Sequence, residues 1–356
     1  MAERVISCFA AFGALLGGLD YVCGGRLGLG DRFVEGLRLM SSLALSMIGI
    51  YCLAPLLVQV LRPVAAPLAH TIGADPSIVA AVLSTDMGGY PLAAQIAENE
   101  QAGAFSGIVL TSMLGSTISF SIPVGMGMIA KKHVEPFLQG ILAGLITLPV
   151  GALVGGLAAR LPLYVILPNL LPVAMLAVVI AVGLKLRPAL VVHVLGGFGK
   201  GVALLSAAGL ALAAAQTLSG VTLVPGLAPV EEAFSVVSSI GLMLLGVLPV
   251  ITLARRVLRV PLRGLGRLTG LSSFDLTGLL VCTASAVPVF SMVDEMSPRG
   301  IAVNGAWMVS ACCVCSSLMS FTARVLPEML PAMLTAKTAG GVLAVGVIFW
   351  TTRKTA

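Results

Sequence analysis

Charge is scarce in this sequence. Asp, Glu, Lys and Arg make up only 10% of its 356 residues, against about 25% in soluble globular domains. So little charge cannot clothe a water-soluble surface around a chain that is 58% hydrophobic, with a mean hydropathy of +1.06. Aromatic residues are also few, at 5%. The formal charge of +6 comes from basic residues in short connections between apolar runs, where they act as topology signals and not as a nucleic-acid footprint. Histidine occurs three times, and the seven cysteines (Cys8, Cys23, Cys52, Cys282, Cys312, Cys313 and Cys315) have no partners at zinc-like spacing. A metal or disulfide framework is therefore not expected, and Cys312-Cys313-Val314-Cys315 reads as small residues on a packed helix. Walker, Gly-x-Ser-x-Gly and His-Glu-x-x-His motifs are all missing, which argues against a self-contained ATP-driven pump or a familiar hydrolase. No cofactor is expected.

What remains is apolar sequence. A helix crossing ~30 Å of hydrocarbon needs about 20 mostly apolar residues. Eleven candidate segments fit that length, near 5–22, 38–60, 76–97, 103–130, 137–158, 161–184, 198–218, 233–254, 274–294, 301–323 and 329–350. The first has Asp20 and Tyr21 where a signal peptide would have small residues before its cleavage site, so it reads as a retained span. The chain is expected to be one all-α polytopic membrane domain with no soluble domain attached.

Sliding the chain by 197 residues aligns it with itself. Between residues 33 and 103 there are 15 identities, among them Glu35/Glu232, Gly49/Gly246, Arg62/Arg259, Pro91/Pro288 and Glu98/Glu295. A short insertion then restores register at Ser119-Phe120 opposite Ser320-Phe321. Two five-segment repeats follow, 1–160 and 191–356, joined by a connecting helix at 161–190. Loop and terminal Lys/Arg divide 13 to 7 between the two sides if all eleven segments span, and 16 to 4 if the third and ninth enter and return on one side. Basic residues accumulate on the cytoplasmic side, so the second arrangement is favoured. It makes the repeats inverted, each with a broken or re-entrant third segment, as in many transporters.

The third segment carries Ser84-Thr85-Asp86-Met87-Gly88-Gly89-Tyr90-Pro91. A carboxylate at membrane depth is costly and marks a functional site by default. The glycines and proline beside it let the backbone open. Asp86 suits a counter-ion role toward a small cation, Ser84 and Thr85 offer hydroxyls, Gly88 and Gly89 expose carbonyls, and Tyr90 offers a cation–π face. In the second repeat Thr283 stands opposite Asp86, followed by Ser285 and Pro288. Asn304 and Ser317 of the tenth segment complete the expected substrate-binding set, and Lys337 is a further intramembrane charge that could pair with Asp86 or snorkel. The set describes a transporter of a small polar or cationic solute. An intramembrane aspartyl protease would need a second carboxylate at midplane depth, so an enzyme is not expected.

The chain resembles the ethanolamine permeases encoded with bacterial ethanolamine-utilisation genes, the EutH family. The resemblance runs over nearly its whole length through Phe33-Val34-Glu35-Gly36-Leu37, Gly73-Ala74-Asp75-Pro76-Ser77, Asp86-Met87-Gly88-Gly89, Phe120-Ser121-Ile122-Pro123-Val124 and Val224-Pro225-Gly226-Leu227. It implies a multi-pass protein of the bacterial inner membrane that takes up ethanolamine. The implied partners are a small cationic substrate and membrane lipids, with homo-oligomerisation left open and no nucleic acid. It also implies Asp86 as the natural site residue. Family members carry an Asn pair before the second-repeat proline and a Gly-Asp-His run on segment ten, where this chain has Ser285-Ala286 and Ser316-Ser317-Leu318. A related amine or amino alcohol is thus an alternative substrate, and a channel-like facilitator an alternative mechanism.

Overall fold

The computed structural model describes residues 2–83 and 89–352, with side chains throughout except at 2–6, 255, 258–265, 267 and 268. It is all-helical, with no strand among the described residues. Among the described residues, seven helical stretches are long and apolar enough to cross a membrane: Gly30–Thr71, Glu100–Met128, Lys131–Ala158, Leu163–Leu186, Pro188–Ser219, Val230–Ala254 and Pro327–Thr352. Helix α1 (Ala2–Val22) adds a 21-residue stretch at the start. The third, ninth and tenth of the eleven expected segments each contain shorter helices.

The third segment is two short helices, α3 (Ile78–Leu83) and α4 (Gly89–Ile96), on either side of the undescribed residues 84–88. The ninth is α11 (Ser273–Cys282) and α12 (Val287–Met292), interrupted just before Pro288. The tenth is α13 (Pro298–Ala311) and α14 (Ser317–Val325), parted by unwound backbone from Cys312 to Ser316. The cysteine cluster therefore lies on this break and not on a packed helix face, with Cys313 at a φ of 56°. The fourth segment is helical but wide. Helix α5 (Glu100–Ala104) runs into a π-helix at Phe105–Gly115 and a second at Thr117–Ser121, before α6 (Ile122–Met128) restores α geometry.

Both ends of each broken segment meet at one carboxylate. Asp75, ahead of α3, accepts backbone N–H groups from Ser77 at 2.8 Å, Glu98 at 3.0 Å and Asn99 at 2.8 Å. Its own N–H donates to Asn169 Oδ1 at 2.8 Å. In the second half Asp275, fully buried, accepts from Ser272 N–H at 2.8 Å and Ser297 N–H at 3.0 Å, and from the Ser297 hydroxyl at 2.8 Å. Residues 75 and 98 would stand about 35 Å apart on a continuous helix. The chain instead returns to where it started.

The long helices α2 (Gly30–Thr71) and α10 (Val230–Thr269) form an interlocked pair of contacts with α1 and α9 (Pro188–Ser219). Gly13 of α1 lies against the Gly246 carbonyl of α10, and Gly209 of α9 lies against the Gly49 carbonyl of α2. The register partners Gly49 and Gly246 thus do the same work in the two halves. In lipid no hydrophobic force drives helices together, so close approach through small residues supplies the packing. The Ser206 hydroxyl adds a bond to the Leu45 carbonyl at 2.8 Å. Helix α8 (Leu163–Leu186) packs against α9 and against the π-helix at Phe105–Gly115. Helix α7 (Val134–Ala158) likewise seats Gly140 and Gly144 against α13, and Gly151 and Gly155 against α15 (Leu330–Thr352).

Candidate solute site

A cavity of about 370 Å³ opens where α2, α9, the end of the π-helical segment and the two breaks of the second half converge. It is lined by eight serines: Ser42 and Ser46 on α2; Ser116, Ser119 and Ser121 on the fourth segment; and Ser285, Ser316 and Ser317 at the breaks. Leu39, Phe120, Val287 and Leu318 supply apolar walls, and no charged side chain lines it among the described residues. Hydroxyls can both donate and accept, so the lining suits a small solute bearing hydroxyl or amine groups in an otherwise apolar pocket.

The breaks hold one another open. Unwound Cys313 and Cys315 donate their N–H groups to the carbonyls of Cys282 at 3.0 Å and Thr283 at 2.9 Å. The Ser316 hydroxyl donates to the Ala284 carbonyl at 2.6 Å. Non-helical backbone survives at membrane depth only where protein or a water-filled cavity satisfies it. Here the α11–α12 tip supplies those acceptors, and the remaining face of the break borders the cavity through Cys312 and Cys313.

Of the expected site residues, Ser285 and Ser317 line this cavity. Ser84, Thr85, Asp86 and Gly88 lie outside the described residues. Gly89 and Tyr90 sit at the start of α4, where Tyr90 packs on Gly107 of the π-helix. Thr283 turns its hydroxyl back onto the Leu280 carbonyl at 2.6 Å. Asn304 is at the base of the ninth segment, its amide donating to the carbonyls of Asp275 and Gly300, both at 2.9 Å. These four are outside the cavity's described lining. Sequence reasoning missed Ser42, Ser46 and Ser121. A hydroxyl in an apolar helix usually bonds its own preceding turn, as Ser46 does to Leu43 and Ser119 to Gly115. Nothing local distinguishes a lining serine from a packing one.

Lys337 is fully buried on α15 and donates to the Ser112 carbonyl of the π-helix at 2.6 Å. It does not snorkel to a membrane surface. Outside the spans, Asp294 binds His133 Nε2 at 2.9 Å and Lys132 Nζ at 3.2 Å. The His133 hydrogen bond, then the lysine, holds its carboxyl below the ordinary aspartate range. This contact ties the end of the ninth segment to the start of α7.

The fold and cavity define a class: a multi-pass helical membrane protein with a hydroxyl-lined cavity at the meeting of broken segments, which is how solute carriers are built. The family model described as "Ethanolamine utilisation protein, EutH" matches residues 2–351, and the chain belongs to that family. A protein of Listeria monocytogenes named "Probable ethanolamine permease EutH" is 39% identical over 334 residues, covering 94% of this chain and 90% of the relative. The Escherichia coli protein of the same name is 34% identical over 370 residues, covering 97% and 90%. "Uncharacterized protein YxeR" of Bacillus subtilis is 40% identical over 351 residues, covering 98% and 95%. The names point to permeases and not to enzymes. No solved structure matches the chain.

Proposed function

We propose that this protein is a permease of the bacterial inner membrane that takes up ethanolamine or a closely related small amine, with the serine-lined cavity as its solute site. The cavity carries the reading: it is small, hydroxyl-rich, and bordered by the broken segments of the second half. Ethanolamine presents one hydroxyl and one ammonium group. The serines meet the hydroxyl, and Asp86, the midplane carboxylate of the sequence, serves as counter-ion to the ammonium. A monovalent cation entering a negative-inside cell gains about 2.3 kcal/mol per 100 mV, enough to concentrate it without a co-ion. Ser285, Ser316 and Ser317, where this chain departs from the family pattern, all line the cavity. That coincidence favours a second reading in which another amino alcohol is the preferred solute.

The test is uptake of labelled ethanolamine into proteoliposomes with an imposed negative-inside potential. Saturable uptake is expected from the native chain, with a fall of at least tenfold in Asp86→Asn and a comparable loss in Ser285→Leu, which fills the cavity. No uptake by folded native protein would remove ethanolamine and direct the assay to other amines.

The same reading includes two inverted repeats with re-entrant third and ninth segments. Support comes from the paired carboxylates Asp75 and Asp275, each closing a broken segment at its base. Helix α7 supplies the direction. Its start holds Asp294, at the end of the ninth segment, whereas the Asp75 base is held by Asn169 in the second turn of α8, just beyond the end of α7. At 1.5 Å per residue, α7 is about 37 Å long. Cysteines introduced singly at 98–102 and at 294–299 are expected to react with impermeant thiol reagents from opposite faces of the membrane. Labelling of both from one face would overturn the inversion.

A further inference from the structure

Ser116 and Ser121 both line the cavity, yet they are five residues apart. On an α-helix, five residues turn about 140° past a full revolution, so one of the two would face away. A π-helix, closed by i to i+5 bonds, brings them closer to one face. The segment is π-helical at Phe105–Gly115 and Thr117–Ser121, and Ser116 N–H bonds the Thr111 carbonyl five residues back. The way Ser116 and Ser121 are presented together therefore goes with the π register of this stretch. Each residue lost from the wide turns rotates everything downstream by about 100°.

One side chain outside the segment grips it at that stretch. The Lys337 ammonium, fully buried, reaches from α15 to the Ser112 carbonyl, which also accepts from the Ser116 hydroxyl at 3.0 Å. Its helix cannot drift. On the same turns Ala336 lies against Gly155 of α7, Gly340 against Ser310 and Met113, and Gly341 against Trp307. An ammonium fixed to the α7–α13–α15 scaffold is thus bonded to the wide backbone of the segment that carries three of the cavity serines.

We propose that Lys337 is a positioning residue for solute binding: by holding the Ser112 carbonyl it keeps the fourth segment in π register, and so directs Ser116 and Ser121 together into the cavity. It touches no solute. The solute half of this inference rests on the cavity being the solute site; the register half does not.

The experiment reads the two halves separately. Ser121→Cys is introduced with Lys337 intact and with Lys337→Met, which keeps length and volume but removes the donor. Labelling by a small thiol reagent is followed at position 121 by mass spectrometry, beside ethanolamine uptake by the same variants carrying Ser121. Lys337→Met is expected to lower the labelling rate at position 121 about tenfold or more, and to raise the ethanolamine KM about tenfold with a smaller change in maximal rate. Unchanged labelling in folded Lys337→Met overturns the proposal. If Lys337→Met fails to fold, Lys337→Leu, a shorter apolar side chain that also lacks the donor, decides: a reduced labelling rate supports the proposal and a native rate overturns it. Altered labelling with native chain that takes up no ethanolamine keeps the register role and removes the solute reading.

Discussion

Gly49→Leu is expected to prevent the chain from reaching its native packing. A Cβ at position 49 would sit 1.6 Å from the Ser206 carbonyl oxygen of α9. The obstacle is backbone, which cannot rotate aside, so α2 and α9 would have to separate along their crossing. Overpacking of a core costs about 1–3 kcal/mol when side chains can yield. Here about 3 kcal/mol or more is expected, because the Ser206–Leu45 bond and the Gly209 contact are lost with it. Gly246→Leu should behave alike, since its Cβ would meet the Ala10 carbonyl oxygen of α1 at 1.7 Å. The measurement is the thermal transition and monodisperse yield in detergent. Gly346→Ala on α15 is the control: nothing lies within 4 Å of its added Cβ, and replacing helical glycine by alanine stabilises by up to about 1 kcal/mol. Native-like melting of Gly49→Leu would show that the α2–α9 crossing is not as close as described.

Asp75→Ala is expected to be nearly as damaging. It strands the N–H groups of Ser77, Glu98 and Asn99, which have the Asp75 carboxylate as partner. A buried donor left unpaired costs about 1–3 kcal/mol, so a loss of about 3–5 kcal/mol is expected once partial access of water at the base is allowed. Asp75→Asn retains one carbonyl oxygen and should fall between. Hydrogen exchange distinguishes a local effect from a global one: protection should drop first at residues 77, 98 and 99, and only later in α7 and α15. Unaltered exchange at those amides would remove Asp75 as the closure of the third segment. Asp275→Ala should open the ninth segment in the same way through Ser272 and Ser297.

These two sites also separate what can be read in the residues from what cannot. Gly49 and Gly246 fall in one 197-residue register, and each turns out to be a point of closest approach between helices. Pro91 and Pro288 share that register, and both lie in segments that the structure breaks into short helices. Asp75 and Asp275 do not share it: they are 200 residues apart, and only the folded chain reveals that both close a broken segment. Asn304 looked like a polar group for a solute because a lone Asn in an apolar helix is costly to bury unless it is paired. Its partners are the carbonyls of Asp275, 29 residues away, and Gly300.

The sequence by itself determined the solvent and the scale of the protein. Too few charges and too many long apolar runs left the bilayer as its only fitting environment, and dispersed motifs carried the family. The spacing of glycines and prolines marked where helices approach and where they break, because those residues act through local backbone geometry. Only the tertiary structure decided which hydroxyls face a cavity. That depends on the angle at which five elements meet and on a π register that no residue type announces, since a serine bonded to its own helix has the same local chemistry whether its other side faces lipid, protein or solute.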